Sequence, residues 1–200
     1  MTNLQKRILT SLVILPLSIF FIIKSGWFLA FFLIIVLFAG FYEVYTSFRK
    51  TKSILFLSLI LSLSVFSIYL LRNDEDVGHI LLYFAIAVCI SSDIGGYVFG
   101  KIFKWKKLTK ISPKKTISGV FGSYFFSIIC LVSFIEYYNF DLKLSITKEG
   151  FNQGFILTII FSTIAQVGDL IISYFKRMEK IKDTGKILPG HGGLLDRIDG

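Results

Sequence analysis

Histidine and cysteine are nearly missing from this chain, with two of each among 200 residues. They form no cluster at zinc-ligand spacing, and no H-E-x-x-H occurs, so a zinc-type site is excluded. Cys89 and Cys130 both lie inside apolar runs. They read as small core residues and imply neither a disulfide framework nor a redox compartment. A Walker A sequence is also missing, as are internal repeats and low-complexity tracts. Charge is scarce, at 18% of residues against about 25% in an ordinary soluble domain. With 54% hydrophobic residues, the chain is too apolar for disorder. It is also too apolar to hide its hydrophobic side chains inside one soluble core of this size. No segment alternates with period two, which argues against a β-barrel.

What is present is a set of apolar runs long enough to matter to a bilayer, whose core takes about 20 residues per helix. Six emerge: Ile8 to Ile23, Trp27 to Tyr42, Ile54 to Leu71, Val77 to Ser92, Ile117 to Ile135 and Phe151 to Phe175. The expected class is all-α, a polytopic membrane bundle of about six helices. The first run follows Lys6 and Arg7 as a signal peptide would. No small-residue cleavage site follows it, so it reads as a retained helix.

The chain carries 22 Lys and Arg against 13 Asp and Glu, a net charge of +9. Assigning alternate loops to opposite sides puts 18 of the 22 on one side. That bias predicts six spans, with both termini and the active site on the cytoplasmic side of a bacterial-type inner membrane. The acids on the other side lie in short exposed loops. On the basic side Glu43, Asp93, Asp169, Glu179, Asp183, Asp196 and Asp199 sit at or inside helix ends. Ionisable groups are costly there and point to function.

Asp169 interrupts the last apolar run, and Ser173 and Lys176 follow at i+4 and i+7, on the same helical face. Arg177, Lys180, Lys182 and Asp183 come next, then Leu188-Pro-Gly-His-Gly-Gly-Leu-Leu-Asp-Arg-Ile-Asp199. Pro189 and Gly190 break the helix. Gly192 and Gly193 allow a ligand to approach the backbone closely. A helix starting near Leu194 would put Asp196 and Asp199 one turn apart. Those two carboxylates with Asp169 suit a hard divalent cation, and the neighbouring Lys and Arg suit phosphate oxygens. Spacing alone leaves His191 as fit for a structural role as for a catalytic one. Earlier in the chain, Ser92-Asp-Ile-Gly-Gly-Tyr97 ends the fourth helix, and Ser112-Pro-Lys-Lys-Thr116 enters the fifth. Lys114, Lys115 and Thr116 can donate to phosphate near a helix start. Acids for metal and bases for phosphate, at a membrane surface, suggest phosphoryl or nucleotidyl transfer onto a lipid.

The stretch Ser173-Tyr-Phe-Lys-Arg through Lys182-Asp183 to Leu188-Pro-Gly-His-Gly-Gly-Leu-Leu-Asp-Arg-Ile-Asp199 resembles the C-terminal signature of the phosphatidate cytidylyltransferase (CDP-diglyceride synthase) family. The blocks at Asp93-Ile-Gly-Gly-Tyr, Ser112-Pro-Lys-Lys-Thr and Gly168-Asp-Leu resemble that family too, so the likeness covers Ser92 to Asp199. The N-terminal helices share only hydropathy and Glu43. The resemblance implies transfer of CMP from CTP to phosphatidate, giving CDP-diacylglycerol and pyrophosphate. It implies Mg²⁺, alone or with a second cation, held by Asp169, Asp196 and Asp199. Asp169, Lys176, Arg177, Asp183, His191, Asp196 and Arg197 would be catalytic. Asp93, Ser112, Lys114, Lys115, Thr116, Ser173, Gly192 and Gly193 would bind substrate.

Residues 1–91 then form N-terminal transmembrane helices, and 92–200 the catalytic part of one membrane domain. Relatives of this kind carry a further helix after the signature, so a chain continuing past Gly200 is expected. Ile117-Ser118-Gly119 stands where many relatives have an aromatic and an acid, so no role of that acid carries over. The expected partners are CTP, phosphatidate and membrane lipids, without nucleic acid; a homodimer is left open. The rival readings are a CTP-dependent polyprenol kinase, a transporter using Asp169, and a scaffold for anionic lipid. A CDP-alcohol phosphatidyltransferase would need a D-G-x2-A-R-type block, which is missing.

Overall fold

The structure, a computed structural model, describes residues 3–74, 77–109, 111–113, 115–142, 148–185, 187–190 and 192–198. Six helices follow in order: α1 (Asn3–Lys24), α2 (Gly26–Ser47), α3 (Thr51–Asn73), α4 (Gly78–Phe103), α5 (Ile117–Leu142) and α6 (Lys148–Met178). All six are long and apolar enough to cross a membrane. Among the described residues there is no strand. Helices are what hydrocarbon demands, because each satisfies its own backbone N–H and C=O groups. Leu12, Phe31, Phe38, Leu59, Phe121 and Ile164 are exposed on their outer faces, as lipid permits and water does not. The chain is an all-α integral membrane protein.

Its residues fall into two compact units, one of Met1–Leu82 with Phe175–Asp199, the other of Tyr83–Tyr174. In the first unit α1 packs on α2 and α2 on α3. The rings of Phe21 and Phe32 stack 5.0 Å apart. Gly40 lets α3 come close, since a Cβ there would stand 2.5 Å from Cδ2 of Leu61. The Arg72 guanidinium donates to the carbonyls of Ile22 at 2.6 Å and Ile23 at 2.9 Å, satisfying acceptors at the end of α1. In the second unit Phe84, Val88 and Leu131 form a buried core, with Cys130, Phe134, Leu157 and Phe161 against it. Both cysteines are free thiols, as their apolar surroundings suggested.

One boundary differs from expectation. The fourth helix does not end near Ser92 but runs through Asp93, Gly95 and Gly96 to Phe103. The glycines serve packing instead of breaking the helix. A Cβ on Gly95 would overlap the carbonyl oxygen of Gly122, and one on Gly96 would reach the Ser123 hydroxyl at 2.7 Å. The contact is mutual, because a Cβ on Gly122 would overlap the Gly95 carbonyl and Phe99. The Ser123 hydroxyl donates to Ser92 O at 2.8 Å, and the Ser92 and Ser162 hydroxyls meet at 3.0 Å. Small residues and buried hydroxyls thus join α4, α5 and α6 inside this unit, where apolar contact alone gains little in lipid.

In a free helix Gly→Ala stabilises by about 1 kcal/mol. Gly122→Ala should do the opposite, since its Cβ meets backbone that cannot swing away. Overpacking of this kind costs about 1–3 kcal/mol. A lowered thermal midpoint in detergent is the expected result; a raised one would contradict the close approach.

Candidate active site

The second unit holds the upstream half of the predicted residues. The chain between α4 and α5 folds back on itself: Leu108 N donates to Lys115 O at 2.9 Å and Ile117 N to Lys106 O at 3.0 Å. Ser112 shapes the tip, its carbonyl accepting from Lys115 N at 3.1 Å. Thr116 is the N-cap of α5, its hydroxyl oxygen accepting from Gly119 N at 3.1 Å. This fold-back aims Lys115 at α6, where its ammonium lies 2.7 Å from Oδ2 of Asp169 and 3.0 Å from Gln166 O. The Ser173 hydroxyl donates to Oδ1 of Asp169 at 3.3 Å, as the i+4 spacing foretold. Asp93 lies near enough to Asp169 and Lys115 for the charges to act on one another. Lys114 lies outside the described residues.

The chemistry of these donors decides whether a divalent cation suits them. Mg²⁺ takes one or two carboxylates and completes its shell with water and phosphate oxygens. Asp169 supplies such a carboxylate, and the Lys115 ammonium already marks the position as one a cation favours. No three His, Cys, Asp or Glu side chains gather among the described residues, so such an ion would draw its other ligands from substrate and water. The residues therefore fit the group.

The first unit holds the C-terminal half. α6 ends as Ile181 N donates to Lys176 O at 3.0 Å and Lys180 N to Arg177 O at 3.1 Å, with Lys180 in the left-handed region at φ 58°. This is a Schellman closure. Arg177 is exposed and donates to Ile181 O at 3.4 Å. The following loop folds into a tight hairpin in which Leu188 N donates to Gly192 O at 3.0 Å and Gly192 N to Leu188 O at 3.2 Å. Gly190 and Gly192 take φ of 80° and 94°, where a side chain would be strained. Arg7 donates to Gly190 O at 2.7 Å, and the Thr10 hydroxyl lies 2.9 Å from Pro189 O, so α1 braces this turn. His191 lies outside the described residues.

Asp196 is the organising group of this loop. Oδ1 accepts from Lys176 Nζ at 2.7 Å, and Oδ2 accepts from Thr184 N at 2.8 Å and Gly193 N at 3.2 Å. Lys176 is buried. Burial raises the Asp196 pKa, but the Lys176 hydrogen bond, the two backbone N–H groups and the Lys176 charge outweigh it and hold the carboxyl below its ordinary value. Residues 194–197 form a single turn, closed by Arg197 N donating to Leu194 O at 2.9 Å, where the spacing predicted the start of a helix. The glycines before it spend their backbone on the hairpin and on Asp196. Arg197 and Asp183 are exposed, Asp183 beside Gly192. Asp199 lies outside the described residues. Of the carboxylates nominated for metal, Asp169 is ion-paired with Lys115, and both oxygens of Asp196 have protein partners.

One participant escaped the sequence reading, and a second was flagged there without its partners. Thr184 is fully buried and ties its backbone N–H to Asp196. Glu43 is also buried and binds the loop from α2. The only signal was an acid at the end of an apolar run.

The depressed Asp196 pKa has a pH signature. The stabilisation is fully present above the unfolded value of about 4 and is lost as the pH falls through the lower folded-state value. Between pH 5 and 8 the Thr184 and Gly193 amides should keep constant protection from hydrogen exchange. They should open only under stronger acid; opening already at pH 5–6 would contradict the ion-paired geometry.

Comparison with known proteins bears on this arrangement. The sequence profile described as the cytidylyltransferase family matches residues 45–200. A phosphatidate cytidylyltransferase of Rickettsia conorii is 36% identical over 99% of this chain and 86% of its own length. One from Rickettsia typhi is 34% identical over 98% of this chain and 86% of its own length. The same-named Staphylococcus aureus (strain COL) protein is 41% identical over 60% of this chain and 44% of its own. The profile takes in both Lys–Asp pairs, the folded-back loop and the glycine hairpin, and the chain, a nucleotidyltransferase, belongs to the cytidylyltransferase family.

Proposed function

We propose that the chain transfers CMP from CTP to phosphatidate, forming CDP-diacylglycerol and releasing pyrophosphate. The observation that carries the reading is the buried Lys176–Asp196 pair, 2.7 Å long and set in a glycine-rich turn. An ammonium held rigid at the end of a transmembrane helix is a ready partner for phosphate charge. Support comes also from relatives named phosphatidate cytidylyltransferase that match nearly the whole chain.

A phosphatidate phosphate oxygen attacks the α-phosphorus of CTP. The bond from that phosphorus to the bridging oxygen breaks, and pyrophosphate leaves with the electron pair. The lipid phosphate is itself the nucleophile, so no side chain need become covalently attached. Lys176 neutralises charge growing on phosphate oxygens, and Asp196 holds it still. Lys115, held against Asp169, does the same in its unit. Asp169 is the residue that would hold Mg²⁺. When bound, that ion supplies charge neutralisation on the phosphates. Arg177, Lys114 and Arg197 draw the anionic substrates in, and Ser173 steadies Asp169. Asp183, His191, Gly192 and Gly193 shape the binding surface of the one unit, and Ser112 and Thr116 that of the other.

The basic loops face the cytoplasm, where CTP is, and both termini lie on that side. Membrane-impermeant labelling of a cysteine at Lys104 should therefore succeed only in inverted vesicles. Labelling in intact spheroplasts would reverse the orientation.

The decisive assay supplies membranes with CTP labelled at the α- or the γ-phosphate. Label should enter lipid from the α position alone. Transfer from γ alone would identify a lipid kinase, and transfer from neither would leave transport or scaffolding. Lys176→Met should lower turnover by about 100-fold, the scale of losing one preorganised donor to transition-state charge. A variant turning over at the parental rate would remove Lys176 from the reaction.

A further inference from the structure

Glu43 lies one turn before the end of α2, inside the protein, with 1% of its surface exposed. Its carboxylate spans two successive backbone amides: Oε1 accepts from Leu194 N at 2.7 Å and Oε2 from Leu195 N at 2.9 Å. The Thr184 hydroxyl approaches Oε2 at 3.4 Å. One helical turn further on, the Ser47 hydroxyl donates to Thr184 O. The loop leaves room for this carboxylate. A Cβ on Gly185 would stand 2.6 Å from Oε1, and one on Gly193 would stand 2.7 Å from Oε2.

The geometry resembles an N-cap supplied from a different helix. Residues 194–197 form one turn whose first amides have no partner within it. A loop without a helical or sheet ladder has little of its own to fix its direction. Glu43 provides that fixing point one residue before Asp196. Asp196 in turn fixes the Lys176 ammonium, which otherwise rides on a flexible four-carbon stem.

We propose that Glu43 is a positioning residue for the reaction, setting the 192–196 turn so that Asp196 holds Lys176 against phosphate. It touches no reacting atom. The proposal rests on the reading that Lys176 and Asp196 serve cytidylyl transfer, and it lies outside the segment matched by the family profile, which begins at residue 45.

The test uses the full chain in detergent, with Glu43→Gln as the main variant. Gln keeps the shape, but its NH₂ cannot accept from an amide, so one of the two backbone donors loses its partner. Hydrogen exchange should show Leu194 and Leu195 protected in the parent and opened in the variant, with α5 unchanged. The kcat should fall about 10- to 100-fold, the scale of a small misplacement, while KM for CTP stays within about threefold. Combined with Asp196→Asn, Glu43→Gln should add little, because both act through one loop. Glu43→Gln with its amides opened and kcat intact overturns the positioning role alone. So do losses that simply multiply with those of Asp196→Asn. Rapid exchange of Leu194 and Leu195 in the parent removes the clamp itself. Parental turnover in Asp196→Asn instead sinks the underlying reading, even with both amides protected. Gly193→Ala crowds the same carboxylate from the loop side and should reproduce both changes. It carries the test where Glu43→Gln does not fold.

Discussion

Backbone amides and carbonyls cannot be left without partners where water is scarce, and this requirement shapes every part of the chain. Inside the spans it is met by helix formation. At the helix ends it has to be met by side chains or by tight turns. Arg72 covers carbonyls at the end of α1, Thr116 caps α5, and a left-handed Lys180 closes α6. The same need recruits Glu43 and Asp196, each of which binds two loop amides with one carboxylate. A carboxylate that satisfies backbone donors is thereby fixed in space. Asp196 then fixes an ammonium. The chemistry of the site grows out of the way the fold ends its helices.

The two Lys–Asp pairs answer a second constraint. A charge withdrawn from water is tolerated when it is paired and hydrogen-bonded. Lys176 with Asp196, and Lys115 with Asp169, meet that condition in their own units. Neither arrangement lacks further support. Thr184 and Gly193 amides assist Asp196, while Ser173 and the Gln166 carbonyl assist the other pair. Each ammonium is thereby held in place beside a carboxylate.

The helices were legible because their signal is coarse. A run of apolar residues about as long as the bilayer is thick admits few other structures. Charge counting needs no contact map either. The continuation of α4 past Asp93 was not legible. Two adjacent glycines look the same in sequence whether they break a helix or let another helix approach, and only the backbone of α5 decides between them. The Asp169–Ser173 contact could be read from its spacing of four, because both residues belong to one helix. Glu43 with Leu194 could not, since 151 residues separate them and neither carries a motif that names the other.

By itself, then, the sequence determined the membrane class, the number of spans, the charge asymmetry and the identity of the basic and acidic residues gathered around the signature. These follow from composition and from periodicities of a few residues, which local physics enforces. The tertiary structure alone decided which acid meets which base, which glycines make room for a neighbour, and which helix holds the C-terminal loop. Those choices depend on ångström-scale approaches between segments far apart in the chain, and no local rule encodes them.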